Sequence, residues 1–323
     1  MADTTPFLII NPNSNNRKTE KKIDKILNFA DEIFGDYHYE LTSKMGDGIP
    51  LAQKAKDSGY SKVVAIGGDG TLNEVSNVLV NTDIKLGMIP TGGSCDAHKT
   101  HGIPREIKES LEIVAEGYSE KFPAGLARGD TDRYFIDMTD GAFTGACAEA
   151  AHTRMKWLHG DMRYILLAFQ MALRFKPIYS SITVDDQQRE GDISVFAVAL
   201  SNVLAGFEII PENHPRKGDF AVIICRDYTR LRLMYQLARA LKGKHVTSKK
   251  VEILRGKHVV IDSEKPMTWE AEGEIYSKTS KRVEFEYIPN ALNLIIPKDW
   301  QYGFCQDKKK LSAENVQKAK VVY

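Results

Sequence analysis

Lys62 to Val75 reads K-V-V-A-I-G-G-D-G-T-L-N-E-V. Val63, Val64, Ala65 and Ile66 form a continuous apolar run, the pattern of a strand buried on both faces of a parallel sheet. Gly67, Gly68 and Gly70 follow at once and permit a sharp turn and close backbone approach to a ligand. Thr71 can cap the helix that comes next, whose first amides and dipole favour an anion. Asp69 offers a carboxylate for a Mg²⁺-bound nucleotide or a phosphoryl group in transfer. A plain strand-to-helix turn would use the same glycines, but the strand before them and the Asn73-Glu74 pair after them favour phosphate binding.

The chain of 323 residues is long enough for two domains with cores of their own, and 42% hydrophobic with 27% charged residues is an ordinary globular composition. A net charge of +1 gives no global attraction to nucleic acid, so no nucleic-acid partner is expected. No apolar run approaches the ~20 residues of a membrane span, and the N-terminus lacks a signal-peptide pattern. Cys95, Cys147, Cys225 and Cys305 lie far apart, which predicts a reducing, cytoplasmic setting and no structural zinc.

Strand and helix alternate through the first part: strands at 7–10, 37–41, 63–66 and 86–89, helices at 19–34, 49–58, 72–80 and 105–116. This predicts a parallel sheet covered on both faces, with its ligand crevice at the carboxyl ends of the strands. The loops at Asn11, Thr42, Gly67 and Thr91 all follow strands and should meet at one edge. From about Phe122 the pattern changes to short strands, at 134–138, 178–184, 194–200, 220–224, 251–254, 258–261, 283–287 and 292–296, an antiparallel sandwich or open barrel. The predicted division is an α/β nucleotide-binding domain over 1–123, to which the tail 297–323 is read as returning, and a β-rich substrate domain over 124–296.

Gly67-Gly68-Asp69-Gly70-Thr71-Leu72-Asn73-Glu74-Val75 resembles the nucleotide-binding signature of the diacylglycerol kinase catalytic family, in particular its soluble bacterial lipid kinases; sphingosine and ceramide kinases are more distant. NAD kinases and phosphofructokinases share only the Gly-Gly-Asp-Gly core. Ile9-Ile10-Asn11-Pro12-Asn13-Ser14 looks like the family's first strand and Asn-Pro loop, and Leu86-Gly87-Met88-Ile89-Pro90-Thr91-Gly92 like the strand and turn closing the nucleotide site. Glu272-Gly273-Glu274 resembles the family's Asp-Gly-Glu catalytic element.

The resemblance implies an NAD-kinase-like first domain and transfer of the ATP γ-phosphoryl group to a lipid hydroxyl, diacylglycerol leading and sphingoid or other lipid alcohols behind. It implies nucleotide contacts from Asn11, Pro12, Asn13, Ser14, Thr42, Gly67, Gly68, Asp69, Gly70, Thr71, Leu72, Asn73, Gly92 and Gly93. Asp69 and Asp96 are the expected partners of the nucleotide's Mg²⁺, and Glu272 or Glu274, beside Asp69, the expected catalytic carboxylates. The lipid would sit at a membrane surface, the inner face of the cell membrane, and a homo-oligomer is compatible with the sequence. A catalytically weak lipid- or nucleotide-binding relative is the alternative.

Three departures bear on a second, structural Mg²⁺. Gly92-Gly93-Ser94-Cys95-Asp96 keeps only Asp96 of the family's Gly-Thr-x-Asn-Asp, Pro123 stands for an Asp, and Arg216-Lys217-Gly218-Asp219 puts Lys217 where a carboxylate is expected. No second Mg²⁺ is expected, and Lys217 could act as a fixed cation beside Asp96 or Asp219. Cys95, in the nucleotide loop, is given no catalytic role. A basic amphipathic stretch, Met162 to Leu173 with Arg154, Lys156, Trp157, Arg163, Arg174 and Lys176 around it, fits either a headgroup surface or core packing. The basic segment Thr229 to Lys250 is read as a solvated helix.

Overall fold

The computed structural model describes residues 5–153, 161–204 and 206–300, and of residues 152, 153 and 161–164 the backbone alone. The tail from 301 on, expected to return to the first domain, lies outside the described residues, as do Arg154, Lys156 and Trp157. The described chain divides into two compact units, 5–124 with 289–300, and 125–288. The expected boundary at 296 moves to 288, because the last residues of the final strand pair with the first unit's sheet.

In the first unit the elements are β1 (Phe7–Ile10), the single turn α1 (Ser14–Arg17), α2 (Ile23–Phe34), β2 (His38–Leu41), α3 (Gly48–Asp57), β3 (Lys62–Gly67), α4 (Asp69–Leu79), β4 (Lys85–Pro90), α5 (Asp96–Thr100) and α6 (Ile107–Glu116). The sheet runs β2-β1-β3-β4, all parallel, and Asn293 and Leu294 add a further parallel partner beside β4. Its apolar strands are buried on both sides, as their continuous composition requires: Leu8, Ile10, Val64, Ile66 and Ile89 pack with Ile26 and Ala30 of α2 and Leu111 and Val114 of α6. β2 lies at the sheet edge and is largely exposed.

The second unit follows β5 (Ser119–Arg128) and contains β6 (Arg133–Phe135), β7 (Met138–Ala142), α7 (Phe143–Thr153), α8 (Asp161–Ala172), β8 (Ile178–Val184), β9 (Gln187–Ala199), the short hairpin β10 (Val203–Leu204) and β11 (Phe207–Glu208), β12 (Phe220–Arg226), α9 (Arg230–Ala240), β13 (Val251–Gly256), β14 (His258–Ser263), β15 (Trp269–Ala271), β16 (Glu274–Ser277) and β17 (Arg282–Ile295). Its main pairings are antiparallel, in the order β16-β15-β7-β9-β8-β14-β17, with β12 and β13 continuing from the C-terminal half of β9. One core gathers Phe135, Phe196, Phe220, Trp269 and Phe285, and a second gathers Met138, Phe143, Ile223, Leu233 and Ile253 beneath α9. The two strands expected at 283–287 and 292–296 are one, β17, which accommodates Pro289 and a left-handed Asn290 (φ 54°) without ending.

Candidate functional site

The carboxyl ends of β1 to β4 meet at one edge. Asn11 N donates to Ile66 O, Thr42 N to Ile10 O, and Thr91 N and Gly92 N both to Gly67 O, each at 2.9 Å. These bonds bring the loops after all four strands together. Asn11 Nδ2 donates to Thr71 Oγ1 (2.9 Å), Asn13 N to Asn11 Oδ1 (3.0 Å), and Asn13 Nδ2 to Ser43 O (3.1 Å). Ser14 Oγ lies 3.3 Å from Thr91 Oγ1. The polar side chains expected around a nucleotide therefore first brace one another.

The glycines are needed for space. A Cβ on Gly67 would lie 2.4 Å from Thr71 Oγ1, and one on Gly92 would lie 2.4 Å from Gly68 Cα. Gly68 is the N-cap of α4 and supplies no capping side chain; Thr71, expected as the cap, sits inside the helix. A shallow cleft opens here, lined by Gly67, Gly68, Asp69, Leu72, Cys95 and His98. Asn73, expected to face it, is fully buried, and its Oδ1 accepts from Asn77 Nδ2 (3.2 Å). Thr42 is also buried, with no hydrogen-bond partner for its Oγ1 among the described residues.

Asp69 does not point freely into this cleft. Its Oδ1 accepts from Ala97 N (3.3 Å) at the start of α5. Burial, and then the neighbouring Asp96, push its pKa up to about 6. Asp96 Oδ1 in turn accepts from Ser94 Oγ (2.7 Å) and pairs with Lys99 Nζ (3.4 Å). Among the described residues no group of three or more His, Cys, Asp and Glu side chains is arranged to hold a metal. Asp69 and Asp96 are thus neighbours, but an amide, a hydroxyl and an ammonium already engage them, which is a poor oxygen set for a hard cation.

Arg105, which sequence reasoning missed, holds the loop between β4 and α5. It donates through Nη1 to Gly92 O (3.4 Å), through Nη2 to Gly93 O (2.6 Å) and also to Ser94 O. Its Nε donates to His98 Nε2 (3.2 Å), so the ring proton of the neutral imidazole sits on Nδ1 and is donated to Ile103 O (2.7 Å). Burial keeps that ring neutral, its pKa pushed down to about 4. Cys95 is buried in a left-handed conformation (φ 50°), and burial pushes its thiol up to about 12, which makes it unreactive.

Glu74 has a task of its own. Its two oxygens accept from Gly46 N (2.7 Å) and Gly48 N (2.8 Å), fastening the start of α3 to α4. The signal was present in the sequence, since a carboxylate satisfies the unpaired amides of a helix N-terminus, but it was absorbed into the phosphate reading.

In the second unit Glu272 (φ 56°) and Gly273 (φ 85°) form the two-residue connection between β15 and β16. Two left-handed residues give the turn whose twist matches a hairpin, which explains glycine at 273. Glu272 Oε1 accepts from Ile136 N (2.6 Å) and Asp137 N (2.7 Å). Those amides lie between β6 and β7, so the single strand expected at 134–138 is broken where its N–H groups turn to the carboxylate. Glu274 begins β16 and is half-buried.

Beneath this turn lies a pair that sequence reasoning also missed. Glu270 and Asp140 stand directly opposite on β15 and β7, and both are buried. Glu270 Oε2 accepts from Gly273 N (2.6 Å). Both oxygens of Asp140 are buried, with the Glu270 carboxyl and the Thr144 hydroxyl beside them. Burial pushes Asp140 up to about 6, with Glu270 and Thr144 pulling it part of the way back. With two carboxyl groups buried side by side, Asp140 keeps its proton to a higher pH than an exposed carboxylate would.

The cation expected at Lys217 is elsewhere. Lys217 is exposed, with no ion pair among the described residues. Asp219 is instead held by Arg255, through Nε (3.1 Å) and Nη2, and Arg255 Nη1 also donates to Asn213 Oδ1 (3.2 Å). Lys99 serves Asp96 in the first unit and Arg255 serves Asp219 in the second.

Residues 5–127 match the diacylglycerol kinase catalytic domain, and residues 141–296 match the YegS C-terminal NAD kinase beta sandwich-like domain. A diacylglycerol kinase of Staphylococcus epidermidis is 27% identical over 295 residues, covering 90% of this chain and 92% of that one. A diacylglycerol kinase of Staphylococcus aureus is similar to the same extent. Among solved structures, a diacylglycerol kinase from Bacillus anthracis aligns with a TM-score of 0.69 at 18% identity, over 91% of this chain and 97% of that one. Yeast NADH kinase aligns at 0.51 and 10% identity, over 91% and 84%, which speaks for the fold alone. Two adjoining domain matches and relatives aligned along almost their whole length place the chain in the diacylglycerol kinase family, and it is a kinase.

Proposed function

We propose that this kinase transfers the γ-phosphoryl group of ATP to the hydroxyl of a membrane lipid, with diacylglycerol as the acceptor and phosphatidic acid as the product. The observation that carries the reading is the glycine cradle at the N-terminus of α4, where Gly67 packs on Thr71 and Gly92 on the Gly68 backbone too closely for a side chain at either, so that bare backbone forms the turn. Such a cradle suits phosphate oxygens. The acceptor is proposed from the names of the relatives.

In this reading the backbone around Gly67–Gly70 receives the phosphates, and Arg105 keeps the facing loop in place. The lipid oxygen attacks the γ-phosphorus, the bond to the β,γ-bridging oxygen breaks, and ADP leaves. The hydroxyl proton passes to a carboxylate of the Glu272-Gly273-Glu274 turn. Two amides fix one oxygen of Glu272 and so orient its carboxylate. The cradle fits ATP phosphates, whereas Asp69 and Asp96 do not fit a protein-held Mg²⁺; the ion that neutralises nucleotide charge would take its oxygens chiefly from phosphates and water.

The test is transfer of labelled γ-phosphate from ATP to diacylglycerol, sphingosine, ceramide and phosphatidylglycerol in mixed micelles. Label in phosphatidic acid is expected. Label in another lipid would change the acceptor, and ATP binding without transfer to any of them would leave a binding protein.

A further inference from the structure

On helix α9, Leu231 is 79% exposed and Tyr235 is 60% exposed, and Leu231 is the most exposed large apolar side chain among the described residues. They are four residues apart and share one face, which Ala238 and Lys242 continue. The opposite face, Leu233 and Gln236, is buried in the unit's core. The helix therefore does not need Leu231 or Tyr235 for its own packing.

The segment that carries this face is basic, with Asp227 just before it pairing with Lys250 (3.8 Å). Between Tyr228 and Val251 stand Arg230, Arg232, Arg239, Lys242, Lys244, Lys249 and Lys250, without an acidic residue, in a chain whose net charge is only +1. Arg230 and Arg232 flank Leu231, and the Arg239 guanidinium lies 5.6 Å from the centre of the Tyr235 ring. Helix α8, packed against α9, exposes Leu166, and Leu173 just after its end is exposed as well.

We infer that the Leu231–Tyr235 face of α9, with its surrounding arginines and lysines, docks on the surface of an anionic phospholipid bilayer. A leucine and a tyrosine standing out among basic side chains fit the boundary between headgroups and acyl chains, where the apolar parts insert and the cations meet phosphate. A second copy of the chain is a poor occupant, since it would set one basic face against another. The inference rests on the lipid-kinase reading for its purpose, because a lipid acceptor has to be reached in a membrane. The surface itself is read without any turnover.

The experiment is co-sedimentation of the full chain with vesicles of phosphatidylglycerol and phosphatidylcholine, and with vesicles of phosphatidylcholine alone. The protein should bind the anionic vesicles, with binding that weakens as salt rises. The double variants Leu231→Gln/Tyr235→Gln and Arg230→Gln/Arg232→Gln should each bind at least ~10-fold more weakly. Thermal midpoints should stay unchanged, and so should phosphoryl transfer to a short-chain diacylglycerol dispersed in detergent. Equal binding to both vesicles, heparin binding without vesicle binding, or wild-type vesicle binding by folded variants would overturn the docking surface. Vesicle binding lost in the variants while no lipid accepts phosphate would sustain the surface and remove the proposed reaction.

Discussion

The turn at Gly67–Gly70 and the turn at Glu272–Gly273 both set an acidic residue among glycines at the end of a strand, yet they use glycine for opposite reasons. At the first, glycine is required because another strand of backbone is in the way: the Gly92 position faces Gly68 Cα. At the second there is nothing within 4 Å of a Cβ on Gly273, and glycine is required by its φ of 85°. The acids differ too. Asp69 is pushed toward its neutral form and accepts from the Ala97 amide at 3.3 Å, whereas Glu272 holds two amides at 2.6 and 2.7 Å on one oxygen. A cradle made of close backbone suits an anion, and a hairpin tip that fixes a carboxylate suits a proton acceptor.

The sharpest break in this comparison is the removal of each acid's charge at the hairpin. One of Glu272→Gln and Glu274→Gln should lower kcat by at least ~10²-fold with little change in ATP affinity. Nearly full rate in both would make the turn structural. Next comes Gly92→Ala, whose methyl must force two backbones apart; a loss of about 3 kcal/mol in stability is expected, with weakened nucleotide binding, measured by denaturation and calorimetry. Wild-type values would mean that the loops part easily.

The buried pair sharpens the comparison through pH. Because the folded-state pKa of Asp140 is raised, its contribution to stability is full below about pH 4 and is lost as pH rises through about 6. Asp140→Asn should therefore match the wild type near pH 4 and exceed it near pH 8, by up to about 3 kcal/mol. Glu270, Thr144, Tyr276 and Cys147 are the groups coupled to Asp140 in this pocket. A pH-independent difference between the two proteins would show that the pair carries no shared proton. Smallest is Gly273→Ala, about 1 kcal/mol of left-handed strain in denaturant unfolding, against the larger loss at Gly92. Equal losses at the two positions would erase the distinction.

The parallel sheet was legible because its strands are short apolar runs punctuated by glycine, and the loops that meet at its edge follow from that topology alone. Much of the second unit was legible from alternation, but β6 and β7 were not separable, since the break depends on amides turned to a carboxylate 135 residues away. Asp140 and Glu270 are likewise separated by most of the unit and meet only through the register of β7 with β15. Lys217 was the cation suggested by the family resemblance, since it stands where a carboxylate is expected. Space chose Lys99 and Arg255, because one lies a helical turn from Asp96 and the other opposes Ala221, two residues past Asp219, on the paired strand.

Glu74 changes how the run from Gly67 to Val75 should be interpreted when its letters are mutated one by one. The first half shapes a surface, and the second half bolts a neighbouring helix to it through Gly46 and Gly48. A substitution at Glu74 would therefore register as lost ligand affinity without the side chain ever meeting the ligand. A scan that counted every sensitive position as a contact would draw the footprint of the nucleotide too large.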